Sequence, residues 1–292
     1  MDKRGGALAE CRGFAPFSCF RPMLSYLHRY HAGNFADVHK HLLLTRVLAA
    51  LLRKPAPLCV IDTHAAEGVY DLAAAEAARS GEAAEGVARV LGLADPPALA
   101  ADYLAAAADP HAYPGSPMLA RRMLREGDRL VLVELHPQAH AALKRTMKGD
   151  PRIHLHRRDA LEALVALVPP AEKRGLAVID PAYEVKTEYQ SVPAAVAKAF
   201  ARWRGGVYFV WYPLLPEARH LDLLSALETA GYPEVVVSEW LRRDPAEGRG
   251  LYGSGVAVVN PPFRFAEEAA ELGAWLEAAG FGGSHRLTRL SA

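Results

Sequence analysis

The chain has 292 residues, a formal net charge of +1 and a mean hydropathy of 0.00. This length suits one large or two small soluble domains, and the balanced charge excludes a strongly basic nucleic-acid coat protein. Three cysteines, Cys11, Cys19 and Cys59, have unrelated spacings that indicate neither a disulfide framework nor a zinc site. From this cysteine usage we expect a protein of the reducing cytoplasm. The longest apolar runs are also too short to span a bilayer.

Residues 1–22 show no periodicity and lack the apolar core of a signal peptide, so we expect a disordered extension or an artefact of start-site choice. A patterned domain then covers residues 23–292. Gly33-Asn34 is a turn signal, and Asn34 can cap a helix that runs to about Arg53.

The segment 21–54 is basic, with six Lys/Arg against the single acid Asp37, and it also holds four histidines. Such a cluster can contact phosphates. A solvated basic helix face is an equally good interpretation of the same pattern.

Short apolar segments predict seven strands, and helical patterns separate most of them, which is typical of a doubly wound α/β sheet. The interval 71–111 is alanine-rich and has no strand pattern, so it predicts a small inserted helical subdomain. The predicted strands cover residues 58–64, 129–134, 153–156, 175–180, 206–212, 234–240 and 255–260.

Polar groups follow several of these strands, where an open α/β sheet places its ligand. Asp62-Thr-His64 precedes a small-residue turn that suits close approach of a nucleotide-type cofactor, although most such units merely turn. Glu134 ends the second strand and can accept hydrogen bonds from ribose hydroxyls. Ser116 opens a helix and can bind an anionic group, or can be an ordinary N-cap.

Asp180-Pro-Ala-Tyr183 ends the fourth strand and combines a carboxylate, a rigid backbone and an aromatic ring. Together these groups can accept hydrogen bonds from an exocyclic amine while the ring stacks on the base that carries it. Asn260-Pro-Pro-Phe263 fits the literal (Asp/Asn)-Pro-Pro-(Tyr/Phe) signature better, but it follows the last predicted strand and has no cofactor turn after it.

With these pieces placed, the chain from Met23 onward resembles the bacterial 23S ribosomal RNA adenine-N6 methyltransferase family of the J type. That resemblance implies a Rossmann-like class I methyltransferase that uses S-adenosylmethionine to monomethylate one adenine. The matching segments are Met23-Leu-Ser-Tyr26, His31-Ala-Gly-Asn34, Ala36-Asp-Val38, Lys40-His41, Asp62-Thr-His-Ala65, Tyr113-Pro-Gly-Ser-Pro117, Glu134-Leu-His-Pro137, Arg174-Gly175, Asp180-Pro181, Tyr183-Glu184, Trp211-Tyr-Pro213 and Asn260-Pro-Pro262.

The resemblance also implies a role for individual residues. Asp180 would be catalytic, together with Pro181 and Tyr183, and Tyr26 and Lys40 would flank the active site. The residues that would line the cofactor pocket are His41, His64, Ser116, Glu134, Asp159 and Ala160. We expect 23S rRNA in a single-stranded or unfolded segment as the substrate, contacted through Arg29, Lys40 and Arg46, and a monomeric enzyme.

Two departures from the family pattern stand out: Ala66 where family members usually have glycine, and Ala182 in place of the second proline. A metal site is not expected, because His39 and His41 fall on nearly opposite faces of a predicted helix. Two other function classes remain open, a nicotinamide-dependent oxidoreductase and a non-catalytic RNA-binding protein on a methyltransferase scaffold. Tight S-adenosylhomocysteine binding would exclude the first, and methyl incorporation into RNA would exclude the second.

Overall fold

The computed structural model describes residues 28–248 and 250–290. The expected extension 1–22 and the candidate residue Tyr26 lie outside the described residues. In the described part of the chain, no helix is both long and apolar enough to cross a membrane.

Within residues 28–248 and 250–290, the regular structure includes ten strands and ten α-helices. The strands are β1 (Cys59–Asp62), β2 (Val69–Tyr70), β3 (Tyr113–Pro114), β4 (Arg129–Val133), β5 (Ile153–His156), β6 (Gly175–Ile179), β7 (Val207–Leu214), β8 (Val235–Leu241), β9 (Gly253–Val259) and β10 (Ser284–Leu290). The helices are α1 (Phe35–Leu52), α2 (Ala75–Ser80), α3 (Arg89–Leu91), α4 (Ala101–Ala107), α5 (Ser116–Met123), α6 (Pro137–Thr146), α7 (Ala160–Leu167), α8 (Glu188–Arg202), α9 (His220–Thr229) and α10 (Phe265–Ala278).

The main sheet has the strand order β10-β8-β9-β7-β6-β1-β4-β5, and β2 and β3 form a separate ribbon. Strands β5, β4, β1, β6 and β7 are parallel, whereas β9 pairs antiparallel with both β7 and β8. The chain leaves β1 toward β4 and returns to pair β6 on its other side. This switch point, at the carboxyl ends of β1 and β6, is where a ligand cleft forms in such sheets.

The Rossmann-like class I methyltransferase fold expected from the sequence is confirmed, but the expected count of seven strands is wrong. The eighth strand is β10, which pairs antiparallel with β8 at the sheet edge. Its residues alternate between exposed and partly buried side chains, so it lacks the apolar run that identifies the buried strands.

Helix α1 packs within the core rather than across the surface. Twelve of its 18 residues are buried, including the three consecutive polar residues His39, Lys40 and His41. Asn34 is its N-cap, because the Asn34 side chain accepts a hydrogen bond from the Asp37 backbone N–H at 2.9 Å. Buried polar and charged groups are costly without partners, so the contacts of these three side chains decide what the helix does.

Short helical segments lie between β2 and β3, where the sequence predicts a helical insertion. This region packs tightly at Gly86 against the residues just before α1: an added Cβ there would lie 2.1 Å from the Gly33 carbonyl oxygen. Backbone groups approach this closely only where one residue lacks a side chain. The Val87 backbone N–H also donates to the Gly33 carbonyl at 2.8 Å. The exact division of the chain at residues 71–111 remains a prediction.

Replacing Gly86 by alanine is expected to lower the free energy of unfolding by about 1–3 kcal/mol, because the methyl group must displace backbone atoms of Gly33 and Asn34. Urea unfolding measures this change. Gly127→Ala is the matched control, since nothing lies within 4 Å of its added Cβ. Equal stability of the two variants would contradict the close packing of the insertion on α1.

Candidate active site

A cavity of about 790 Å³ opens at the carboxyl ends of the parallel strands. Its walls come from four parts of the fold: the start of α1, the loop after β1, the start of α5, and the residues that follow β4 and β6. The polar side chains from these parts include Asp37, Lys40, His41, His64, Ser116, Glu134 and Asp180.

A chain of charged groups links α1 to the end of β6. The Lys40 ammonium donates to Asp180 Oδ2 at 2.6 Å and lies 2.9 Å from Asp37 Oδ1. Asp37 Oδ2 in turn contacts His28 Nε2 at 3.0 Å and accepts the Gly33 backbone N–H at 2.9 Å. The exposed fractions of Lys40 and Asp37 are only 4% and 2%, so this network replaces water as the solvent of the charges.

The same contacts set the protonation of the pair on α1. Burial would raise the pKa of Asp37, but the nearby charges of His28 and Lys40 outweigh it and hold that pKa well below its usual value. Burial would likewise lower the pKa of Lys40, yet the Asp180 and Asp37 carboxylates raise it. Both groups are therefore charged at neutral pH.

The turn after β1 is held by Glu134. The Ala66 backbone N–H donates to Glu134 Oε2 at 2.8 Å, and the His136 N–H donates to Oε1 at 2.7 Å. Burial raises the pKa of Glu134. Ala66 has a left-handed φ of 48°, a conformation that glycine adopts without cost. The methyl group at this position, one of the two departures noted above, is thus accommodated in a strained turn.

Asp62 is a functional candidate that the sequence reasoning did not include among the site residues. Ser116 Oγ donates to Asp62 Oδ2 at 2.7 Å, and the His64 N–H donates to Oδ1 at 3.2 Å. Burial raises the pKa of Asp62 to about 7. Its place at the end of the first predicted strand could have identified it from the sequence. In the structure, its carboxylate fixes both the β1 loop and the start of α5.

Two of the cavity histidines, His41 and His64, are uncharged at neutral pH. Burial lowers the pKa of His64 to about 4 and that of His41 to about 3. His64 Nδ1 lies 3.3 Å from the Asp180 backbone nitrogen and accepts its N–H, and His41 Nδ1 lies 3.1 Å from the Tyr113 hydroxyl. Both rings therefore act as neutral hydrogen-bonding groups that help to shape the cavity.

The insertion also contacts side chains at the start of α1, in addition to the backbone of Gly33. Glu82 Oε1 lies 2.9 Å from His31 Nδ1, and Oε2 accepts the Asn34 side-chain amide at 3.1 Å. The hydrogen bond with Glu82 raises the pKa of His31. The helix that carries Lys40 is thus anchored at its first turn by a side chain from the inserted segment.

Seven of the site residues expected from the sequence line the cavity together: Lys40, His41, His64, Ser116, Glu134, Asp180 and Pro181. Asp159 and Ala160 do not line it. Asp159 instead caps α7, where its carboxylate accepts the Glu162 backbone N–H at 2.9 Å. The charge of Asp159 still acts on the cavity residue His64, and a direct cofactor contact from Asp159 and Ala160 stays a prediction.

Tyr183 does not line the cavity either. It is 6% exposed, its hydroxyl donates to the Trp211 carbonyl at 2.9 Å, and its ring lies 4.6 Å from that of Tyr189. A left-handed φ of 54° at Tyr183 accompanies this placement. The base-stacking role expected for Tyr183 stays a prediction, and the aromatic side chains on the cavity wall include Phe35, Tyr70 and Trp211.

The three residues expected to contact RNA are all engaged within the protein. Lys40 is buried in the network with Asp180, a placement that does not fit a surface phosphate contact. Arg46 donates to Glu268 Oε2 at 2.9 Å, which joins α1 to α10. Arg29 donates to Glu67 Oε1 at 2.8 Å, near the cavity rim.

The alternative motif Asn260-Pro-Pro-Phe263 lies at the opposite end of the sheet. Val259 pairs with Tyr208 near the start of β7, and the Asn260 amide donates to the Gly206 carbonyl at 3.1 Å. The cavity opens instead where the parallel strands end, so this motif does not contribute to it.

The contacts of His39, one of the two helix histidines considered above for a metal site, are with hydroxyl groups. His39 lies between the hydroxyls of Ser238 and Ser254, with both distances at 3.0 Å. Within residues 28–248 and 250–290, no group of three or more His, Cys, Asp or Glu side chains is arranged to hold a metal ion.

Replacing Lys40 by methionine is expected to lower the free energy of unfolding by about 3–5 kcal/mol, because two buried carboxylates lose their shared cation. Lys54→Met, at the exposed end of the same segment, is the control and should change stability by less than about 0.5 kcal/mol. Adding Asp37→Asn to Lys40→Met should recover part of the loss. Urea unfolding gives all three values, and a near-neutral Lys40→Met would contradict the buried network.

Stability is expected to rise as the pH increases from about 4 to 6.5. Burial lowers the pKa of His39 and His41 to about 3 and that of His64 to about 4, from 6.5. Between these values the unfolded chain binds more protons than the native protein, so the stabilisation is complete above 6.5 and is lost toward the folded-state pKa. His39→Gln should reduce the slope by up to about 1.4 kcal/mol per pH unit. Urea unfolding of both proteins across this pH range measures the change, and an unchanged slope would contradict the prediction.

The sequence and the structure of this chain are similar to those of known proteins. Residues 55–285 match the family model described as ribosomal RNA large subunit methyltransferase D, RlmJ. The ribosomal RNA large subunit methyltransferase J of Escherichia coli K12 is 36% identical over 260 residues, which cover 87% of this chain and 93% of that protein. The corresponding Haemophilus influenzae protein is 34% identical over 257 residues, 86% of this chain and 92% of its own length. A crystal structure of a Legionella pneumophila protein superposes with a TM-score of 0.81 at 35% identity, over 90% of this chain and 98% of that one. This chain belongs to the RlmJ family of ribosomal RNA large subunit methyltransferases.

Proposed function

We propose that this protein transfers a methyl group from S-adenosylmethionine to N6 of an adenine in 23S rRNA. The relatives with which it shares 34–36% identity are named ribosomal RNA large subunit methyltransferase J. The observation that carries the proposal is that Asp180, His64 and Glu134 bound one cavity at the carboxyl ends of neighbouring parallel strands. A donor on the β1 side and an amine on the β6 side would meet there.

The residues present fit S-adenosylmethionine, which supplies an electrophilic methyl group on a sulfonium. Glu134 follows β4, where a carboxylate can accept bonds from ribose hydroxyls. Ser116 at the start of α5 suits the carboxylate end of the molecule, although the Met118 and Leu119 N–H groups of the first turn already donate to the Gly115 carbonyl. The β1 turn at Ala66 and the neutral ring of His41 complete this side of the cavity. Asp159 and Ala160 stay outside the proposed contact set.

Asp180 and Pro181 are proposed to bind the target amine. The adenine N6 lone pair is delocalised into the ring, so the amine is a poor nucleophile. Hydrogen bonds from N6–H to the Asp180 carboxylate and the Pro181 carbonyl would favour a tetrahedral nitrogen and stabilise the positive charge that develops on it. The proton leaves N6 only after methyl transfer, so Asp180 acts first as an electrostatic stabiliser and second as a base.

Lys40 is proposed to position Asp180. Its ammonium occupies Oδ2 at 2.6 Å, while no hydrogen bond to Oδ1 is found within the described residues. One carboxylate oxygen is thus fixed and the other remains available for N6–H. Holding the acceptor in place before the amine arrives lowers the cost of aligning nitrogen, methyl and sulfur.

The target base must leave its helix to reach the cavity. N6 is normally paired and A-form grooves hide base edges, so a single-stranded or unfolded segment of 23S rRNA is the proposed substrate. Trp211, Pro181 and Val185 line the part of the cavity near Asp180 and would contact the base in place of Tyr183. We further propose a monomer that works in the cytoplasm.

The test of this function uses unmodified 23S rRNA, labelled S-adenosylmethionine and nucleoside analysis of the product. Asp180→Asn should bind S-adenosylhomocysteine normally by calorimetry but lose about 10²–10³ in methyl transfer, since one acceptor of the developing charge is weakened. Glu184→Gln, a carboxylate on the same cavity wall, is the matched control and should retain most activity. Near-normal turnover by Asp180→Asn would reject the assignment, and a product other than N6-methyladenosine would reject the function.

A further inference from the structure

We infer that an exposed basic surface on α6 and on the loop after β5 binds phosphates of the RNA next to the target nucleotide. The α6–β5 basic surface consists of Lys144, Arg145, Lys148, Arg157 and Arg158. The inference rests on the proposed function, because it assigns the region of this same enzyme that holds its nucleic acid.

The segment 137–158 carries six Lys/Arg and one acid, Asp150. Asp150 is used internally, since Arg152 contacts its Oδ2 at 2.7 Å. The other five cations are all exposed, and no ion pair is found for any of them within residues 28–248 and 250–290. The surface thus presents five positive charges that the described part of the protein does not neutralise.

This surface borders the cavity. Val133 pairs with His156 at the end of β5, and the Glu134 backbone N–H donates to the His156 carbonyl at 3.1 Å. Arg157 and Arg158 follow His156 directly, whereas Glu134 lines the cavity. Helix α6 begins close by, and its residue Ala139 also lines the cavity. An RNA strand that places one nucleotide in the cavity can therefore run over these cations.

Three of the five cations, Lys144, Arg157 and Arg158, act on two neighbouring histidines. Burial first, and then the charges of Arg157 and Lys144, lower the pKa of His140. Burial, followed by Arg158 and His154, lowers the pKa of His156. Charges from both α6 and the β5 loop thus act on one patch of surface, where a polyanion would meet them together.

Helix electrostatics do not explain the arrangement. Lys144 and Arg145 lie in the last turn of α6, where cations interact well with the helix dipole. Arg157 and Arg158, however, directly precede Asp159, the N-cap of α7, at the end where the dipole disfavours cations. The dipole of α7 therefore does not stabilise the charges of Arg157 and Arg158, whereas a bound phosphate would.

The three cations of the segment 21–54 that were expected to bind RNA are not available for phosphate binding. Lys40, Arg46 and Arg29 are paired with acidic side chains inside the protein. Phosphate contacts supply most of the affinity of nucleic-acid binding proteins, so a protein with a net charge of +1 needs a local cluster of unpaired cations. The α6–β5 basic surface is such a cluster beside the site of chemistry.

Two multiple variants test the inference, Arg157→Ala/Arg158→Ala and Lys144→Ala/Arg145→Ala/Lys148→Ala. Methylation of unmodified 23S rRNA should show a KM for RNA raised about tenfold with kcat nearly unchanged. The slope of log binding constant against log salt should fall by about 1 per side chain removed. S-adenosylhomocysteine binding by calorimetry and urea unfolding should stay at wild-type values, because none of these side chains touches the cavity.

The control is Lys54→Ala/Lys198→Ala, which removes two exposed cations far from the carboxyl ends of the strands. A KM and a salt slope that equal those of wild type and control would overturn the inference. So would a defect seen only with assembled ribosomal particles and not with naked RNA, which would assign the surface to a protein partner. If wild type binds RNA with the expected salt slope but transfers no methyl group, the proposed function fails while the RNA surface stands.

Discussion

The buried contact between Lys40 and Asp180 is the constraint on which the rest of the site depends. A charged ammonium that is 4% exposed is tolerated only with closely placed acceptors, and here one acceptor is the carboxylate proposed to bind the target amine. This contact fixes α1 relative to the loop after β6. It also explains why Asp37 is buried beside Lys40, since a single carboxylate would leave donors of the ammonium unsatisfied.

Other parts of the fold support this contact from a distance. Glu82 holds Asn34 and His31 at the start of α1, and the close approach of Gly86 to Gly33 fixes the backbone there. The inserted segment is therefore coupled to Asp180 through the rigid axis of one buried helix. A displacement of the insertion would move Lys40, and through it the carboxylate oxygen that receives N6–H.

The sequence predicted the parallel strands and several of the polar cavity residues, because buried strands are apolar runs and strand ends position ligand groups. It did not predict β10, whose alternating exposure lacks such a run. Nor did it predict the orientation of Tyr183, which depends on a left-handed backbone angle, or the burial of Lys40. Helix α1 is apolar on nearly every side, so the pattern gave no polar face from which to judge whether a lysine within it meets solvent or a carboxylate.

The distribution of charge connects these findings. In the described part of the segment that looks most basic in sequence, Arg29, Lys40, Arg46 and Arg53 contact carboxylates of the protein. The charge of these four side chains therefore stabilises the protein rather than attracting RNA. At physiological ionic strength, exposed charges act over about 8 Å, so only cations near the cavity can guide a nucleotide into it. A local surface of exposed cations beside the cavity, on a protein of nearly zero net charge, therefore favours RNA that presents a free nucleotide at the right place over polyanions that meet the molecule elsewhere.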